Sequence, residues 1–463
     1  METLQRTANR GSVPTGYDID NSLKLEADNT EYLTRTPSSA GNEKTWTWSG
    51  WIKYTSPTVT PQTIFAGGTD SGSYGAINFR IDAGQMELNT ASVAMRTATQ
   101  KFRDPAAWYH FVVAMDTTQS TADDRIKIYV NGSQITDFSV SNNPPQDTDT
   151  GVNANELQTI GRRSHADDRY FSGYIAEVHL VDGTALTPTS FGEFDSDSGI
   201  WKPKKYTGSY GTNGYYLKFN NSSSLGTDSS GNGNNFTLNN ITAADQATDT
   251  CTNNFAVLNT LHNVPNTTRK EGATTTVKTN NGWRTLVSTL GVSSGKWYFE
   301  LSAGSEYQMI GVAGDAVYGG GSANENYLGA LTGSLGYYGN SATFFQDGAD
   351  KSPTNVSSYT TDDIVGLALD VDNGKAYFHK NGTYQNLANP NTSSNGYTIT
   401  GDAPYFLSIS IYQQTDQCEV NYGGYHVYSI SSGNSDANGY GNFEYAPPSG
   451  YYALCTKNLA EYG

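Results

Sequence analysis

Two copies of one short device limit what this chain can fold into. Arg125-Ile126-Lys127-Ile128-Tyr129-Val130 alternates apolar and polar side chains and runs directly into Asn131-Gly132. Lys375-Ala376-Tyr377-Phe378-His379-Lys380 runs in the same way into Asn381-Gly382. Period-2 alternation closed by Asn-Gly signals a β-hairpin, because both turn residues tolerate the positive φ of a type I′ turn. An apolar run precedes each device, Phe111 to Met115 in one case and Ile364 to Leu369 in the other. The connections, Asp116 to Asp124 and Asp370 to Gly374, are short, polar and acidic. The duplication predicts an all-β protein made of two antiparallel, jelly-roll-like sandwiches in tandem.

A length of 463 residues suits two such domains, each large enough for a full core. With 49 Gly, 32 Tyr and only 16% charged residues, the composition supplies turns and hydrogen-bonding strand faces, so helix should stay below roughly a tenth of residues. Thr45 to Lys53 places Trp46, Trp48 and Ile52 on one face and Trp51 on the other, as a central strand would. Further strands are expected at 62–66, 76–81, 108–115, 156–160 and 171–181. Residues 1–16 read as a polar arm suited to docking, 17–199 as the first sandwich, 200–260 as an ordered connector, and 261–463 as the second sandwich with a C-terminal tail. The connector's alternating apolar residues require a surface to pack on.

The formal net charge of -17 argues against a nucleic-acid partner and against anionic membranes, since both need clustered Lys and Arg. No apolar run has the length of a membrane span, so neither insertion nor a secretory leader is expected. Three cysteines, Cys251, Cys418 and Cys455, are too few for a disulfide framework and fit synthesis in a reducing bacterial cytoplasm; a Cys251 to Cys455 bridge is the minority alternative.

The set Thr47 to Lys53, Trp108 to Val113, Ile128 to Gly132, Ile160-Gly161 and Phe171 to Val178 resembles the laminin-G-like members of the concanavalin A-like jelly rolls, over about residues 17 to 195. Ser293 to Leu301, Met309 to Ala313, Ile364 to Asp370 and Tyr405 to Ser410 resemble the SPRY domain, over about 282 to 423. The tail, Phe443 to Tyr451 followed by Leu454 to Leu459, resembles the close of structural proteins of tailed, especially marine, phages. Together the resemblances imply a non-enzymatic virion structural protein at the particle surface, a tail fibre or tail appendage engaged in host-surface or glycan attachment. A capsid decoration or head-fibre protein is the alternative, and a glycan hydrolase the remote one. The implied partners are other virion proteins, a host-surface glycan and further copies of the chain.

A glucanase of this fold class needs two carboxylates converging from alternate strand positions. The nearest approach is Glu177-Val178-His179-Leu180-Val181-Asp182, whose acids fall on opposite strand faces. The six histidines are scattered, without zinc-ligand spacing, and His110 reads as a hydrogen-bonded sheet residue. For calcium the candidates are Asp228, Ser230, Asn232 and Asn234, oxygen donors at alternate positions in a glycine-rich loop that lacks the late Glu of an EF-hand; any tight turn uses the same residue types. The resemblance implies a calcium site at the rim, as laminin-G-like domains often have, without assigning its ligands; Asp116 and Asp123 are weak candidates. Exposed aromatic side chains are the platforms of carbohydrate recognition. The glycan candidates are therefore the loop or loop-flanking residues Tyr74, Tyr170, Tyr318, Tyr327, Tyr337 and Tyr338, with protein interfaces as the competing use. Trp46, Trp48, Trp108 and Trp297 are expected in the core.

Overall fold

The computed structural model describes residues 16–56, 61–69, 74–262, 264–315 and 325–463. Residues 1–15 of the expected arm, 1–16, and Tyr318 lie outside them. Strands make up 40% of the protein, and the α-helix Thr456–Tyr462 is short, so the fold is nearly all-β. Among the described residues no helix is long and apolar enough to cross a membrane. The chain forms two compact units, dividing between Thr252 and Asn253.

In the first unit, one eight-stranded sheet runs in the order Ser133–Gln134, Ile126–Val130, Trp108–Asp116, Thr45–Tyr54, Gly173–Asp182, Ser22–Leu25, Gln246–Ala247. Tyr215–Leu217 also pairs with Gly173–Asp182. A second eight-stranded sheet faces it, in the order Phe138–Ser141, Ala94–Lys101, Gln85–Asn89, Ile77–Asp82, Gln62–Gly67, Gln158–Ile160, Tyr32–Arg35, Thr237–Asn239. Thr45–Tyr54 is central, as its two-faced tryptophans require: Trp46, Trp48 and Ile52 enter the inter-sheet core, while Trp51 packs in a separate cluster on the sheet's outer face. Trp108 corrects the expectation of a core position. Partly buried, it joins the cluster of Trp51 and donates from Nε1 to Asp249 at 3.1 Å.

The stretch expected to be a connector does not form an element of its own. Up to Thr252 its strands Tyr215–Leu217, Thr237–Asn239 and Gln246–Ala247 complete the two sheets of the first unit, and from Asn253 it belongs to the second. The alternation that demanded a packing surface is therefore ordinary strand alternation.

The second unit pairs a nine-stranded sheet with a six-stranded one. The first runs Thr267–Lys270, Thr275–Lys278, Gln417–Asn421, Lys296–Ser302, Ile364–Asp370, Lys375–Lys380, Thr383–Tyr384, with Tyr397–Thr398 beside Lys375–Lys380 and Tyr452–Ala453 parallel to Lys296–Ser302. The second runs Arg284–Val292, Tyr405–Ile411, Gln308–Ala313, Ser334–Tyr338, Thr343–Gln346, Ala349–Asp350. Both predicted turns carry the expected backbone: φ is 46° at Asn131 and 81° at Gly132, 48° at Asn381 and 79° at Gly382. At Gly132 a side chain is excluded twice over, since a Cβ there would sit 2.4 Å from the Trp201 ring.

Besides the Tyr452–Ala453 pairing, one carboxylate anchors the tail to the nine-stranded sheet. Glu300 is fully buried and accepts from the hydroxyls of Tyr298 and Tyr428, both at 2.8 Å, and from the backbone N–H groups of Glu444 at 2.9 Å and Tyr445 at 2.8 Å. Burial raises its carboxyl above the ordinary value while these donors pull it back. The final helix is tied in by Thr456, whose N–H donates to the Asn254 carbonyl and whose hydroxyl accepts from the Asn254 N–H.

Candidate functional site

The outer face of the first unit's Thr45–Tyr54 sheet carries residues that could form a sugar-binding groove, and the chain itself fills it. Trp201, from the hairpin of Gly192–Phe194 and Trp201–Pro203, stacks on His110 with centroids 5.9 Å apart and donates from Nε1 to His110 Nδ1 at 3.0 Å. His110 in turn stacks on Trp51. Farther along, His179 stacks on Tyr216 at 4.2 Å and its Nδ1 lies 2.9 Å from the Tyr210 hydroxyl, with Phe191 and Tyr206 packed around it. Glu177 sits at the bulge of Gly173–Asp182 with φ 50°, which keeps its carboxylate on this outer side. It accepts from Tyr17 at 2.7 Å and Tyr216 at 2.6 Å and is buried. Asp182 accepts from the N–H groups of Asn42 and Asn213 and from the Asn153 amide. Both acids are thus engaged in structural hydrogen bonds.

The candidate calcium loop is also closed on itself. Asp228 Oδ1 accepts from the N–H groups of Tyr216 and Ser230, and Oδ2 from the Ser230 hydroxyl and the Asn234 N–H. The Asn232 and Asn234 amides donate to the Gly214 carbonyl, and Asn234 Oδ1 accepts from Arg35 at 2.6 Å. Both oxygens of Asp228 are thus taken by N–H and O–H donors and Asn234 Oδ1 by a guanidinium, so the loop's side-chain oxygens are spent on closing the loop. Asp116 is similarly used by Thr45, Thr118 and Gln119, and Asp123 accepts from Asn143. Among the described residues no three His, Cys, Asp or Glu side chains converge as metal ligands. The three cysteines are free thiols.

The glycan candidates separate. Tyr74 is partly buried against the first core. Tyr170 is half-buried 5.8 Å from Tyr32, whose face is covered by the Arg162 guanidinium at 4.2 Å. Tyr337 is a correction: it is completely buried, stacked on Phe344 at 4.5 Å, and its hydroxyl donates to the Ser357 carbonyl. It lies in Ser334–Tyr338 rather than a loop, and consecutive strand residues face opposite ways. Tyr338 therefore points out.

Tyr338 and Tyr327 meet on the outer face of the six-stranded sheet, around a residue absent from the sequence-derived candidates. Trp283 lies 5.4 Å from Tyr338, 5.5 Å from Tyr327 and 5.2 Å from Tyr412; Tyr307 approaches Tyr412 at 6.5 Å, and Phe345 approaches Tyr327 at 5.3 Å. Beneath these half-exposed rings is a buried apolar bed of Val287, Met309, Ala313, Leu328 and Phe406. Alternation builds this second layer: Ile310, Tyr337 and Leu407 face the inter-sheet core, and Met309, Tyr338 and Phe406 face outward. The position of Trp283 is fixed by its own backbone, since its carbonyl accepts from Arg284 Nη1 at 2.6 Å and the preceding Gly282 carbonyl accepts from Lys278 Nζ. Asn281, Gln413 and Gln414 are exposed alongside. Flat aromatic rings on a rigid bed, rimmed by amide side chains, suit the apolar face and hydroxyls of a sugar.

A second concavity in this unit, about 720 Å3, is lined by Ser302, Asp362, Asn381, Gln417, Glu419 and Glu444 among others. Its lining is polar and acidic.

Comparison with known families gives two matches. Residues 27–190 match the model of a laminin-G-like domain of the concanavalin A-like lectin/glucanases superfamily, and residues 296–425 match that of the SPRY domain. A search of curated proteins finds no match. Similar solved structures include a human SPRY domain (16% identity, 32% of this chain and 90% of that one, TM-score 0.25). A putative carbohydrate binding protein from Bacteroides ovatus is similar at 18% identity over 48% of this chain and 59% of that one, TM-score 0.32. A heptameric SAP-like pentraxin from Limulus polyphemus is similar at 17% identity over 37% and 80%, TM-score 0.28. The chain carries a concanavalin A-like domain followed by a SPRY domain.

Proposed function

We propose that this protein is a non-enzymatic glycan-binding component of a tailed-phage virion, exposed on the particle as a tail fibre or tail appendage and engaged in host-surface attachment. The observation that carries the glycan-binding part is the Trp283 platform with Tyr327, Tyr338 and Tyr412. Lectin-like and SPRY folds are binding scaffolds, and the sequence's nearest approach to a hydrolase's acid pair, Glu177 and Asp182, is engaged in the chain's own hydrogen bonds. The virion setting rests on the sequence of the tail, 443–459, with other virion proteins as its partners. Weak single sites gain strength when many copies share one particle, as adsorption requires.

The test is competition. Excess soluble protein should slow adsorption of the parent phage and bind host-cell glycans, and Trp283→Ala combined with Tyr412→Ala should weaken glycan binding about tenfold, roughly 1.4 kcal/mol, without lowering the melting temperature of the sandwich core. Phage that lack the protein and adsorb normally, but whose heads lose stability, would make it a head decoration instead.

A further inference from the structure

The first unit contains a buried triad that the proposed function does not use. Lys24, on Ser22–Leu25, and Asp245, at the end of the turn Ala243–Asp245, are cross-strand neighbours: Ser22 pairs with Ala247 and Leu23 with Gln246, so the next position of the ladder sets Lys24 beside Asp245. Lys24 Nζ lies 2.7 Å from Asp245 Oδ1 and 3.0 Å from Glu31 Oε2, and the side chains of all three are at most 7% exposed. Asp245 is held by its other oxygen, for Oδ2 accepts from the Thr242 N–H at 2.7 Å and hydroxyl at 3.2 Å. Glu31 is oriented by the Glu26 N–H at 2.8 Å and the Asn29 amide at 2.9 Å.

We propose that Lys24 and Asp245 condense into an intramolecular isopeptide bond, with Glu31 relaying the protons. Nζ, once deprotonated, attacks Cγ of Asp245; the Nζ–Cγ bond forms, the Cγ–Oδ1 bond breaks, and Oδ1 leaves as water. The two protons shed by the ammonium both end on Oδ1, each by way of Glu31, which finishes as it began. Ammonium and carboxylate therefore become amide and water, with no oxidant, reductant or activating group required. Oδ2 remains as the amide oxygen in the Thr242 hydrogen bonds it already accepts, a preorganised support for the charge that develops there during attack.

Burial favours this outcome. In water the free ions are held apart from amide formation by their solvation, and that solvation is what the closed site withdraws. Fixed juxtaposition supplies the high effective concentration of a unimolecular reaction. Burial, opposed by Lys24 and reinforced by Asp245, pushes the Glu31 carboxyl up to about 7, a value at which it both takes and gives protons near neutrality. The bond would close a covalent ring from the first strand of the first unit to its last.

Intact mass of the purified, fully denatured protein tests this directly. The expected mass is one water below that of the sequence, with a branched proteolytic peptide joining Lys24 to Asp245. Glu31→Gln should stay folded by circular dichroism yet keep the full mass, and Lys24→Arg should do the same. Wild-type protein at full sequence mass after days at ambient temperature overturns the proposal, as does a water loss that maps to any other pair of residues.

Discussion

At the scale of single residues, two of the buried histidines, His110 and His379, show how a strand position becomes a pH liability. His110 Nδ1 accepts from Trp201 Nε1, so its proton sits on Nε2, 2.8 Å from the Ser49 hydroxyl. His379 Nδ1 accepts from the Gly382 N–H at 3.2 Å, and its Nε2 is 2.7 Å from the Tyr298 hydroxyl, which itself donates to Glu300. Protonation at Nδ1 would set N–H against N–H in both places. Burial holds each imidazole down to about 3 from an ordinary 6.5, with His179 adding repulsion at His110. Because the folded-state value is depressed, the unfolded chain takes up the proton first: stability is intact above about 6.5 and falls as pH drops toward 3. By roughly pH 5 each histidine should cost about 2 kcal/mol. Melting curves of His110→Gln and His379→Gln should be flatter between pH 7 and pH 5 than those of the parent protein, whatever their absolute position.

Among the elements, the tail depends on Glu300 more than on its own short pairing. Glu300→Ala would strand two hydroxyls and two backbone N–H groups in a buried site and should cost about 3 to 5 kcal/mol. Chymotrypsin should then cut within 425–455 before the rest of the unit is degraded, and Glu300→Gln, which keeps an acceptor oxygen, should resist better. Elements of this kind also show what could be read from the chain. Alternation and Asn-Gly turns identified both hairpins and the central Thr45–Tyr54 strand, since those signals are local. Glu300 lay inside a recognised strand, yet its role depends on residues 428 to 445 returning over it, a contact no local pattern encodes. Tyr337 and Tyr338 differ only in parity; reading the alternation back from Leu335 would have sent the first inward and the second out. Trp283 follows an Asn-Asn-Gly turn, and Tyr412 follows Ile409 and Ile411 at the outward parity. Both were legible as exposed aromatics, but their meeting on one bed of Met309 and Phe406 required the sheet order.

For the whole molecule, the division at Thr252 and Asn253 makes a prediction about dissection. Fragments 16–252 and 253–463 should each be soluble and melt cooperatively, because each holds its own complete core. A fragment ending at residue 199 should aggregate, since it lacks Tyr215–Leu217, Thr237–Asn239 and Gln246–Ala247 and opens the edges they cover. The parallel pairing of Tyr452–Ala453 with Trp297 and Tyr298 has a consequence in time. A ribosome delivers the first unit's last strand by residue 247, and that unit can close while the second is still being made. Ile364–Asp370 pairs one edge of the stretch at Trp297 and Tyr298, but the other edge must wait about 150 residues for Tyr452–Ala453, on the order of ten to thirty seconds of elongation. Throughout that interval a nascent chain carries an unpaired ladder beside two large aromatic side chains. Its timetable, more than its finished stability, sets how much newly made protein is lost to aggregation, and slower translation after residue 302 should increase that loss.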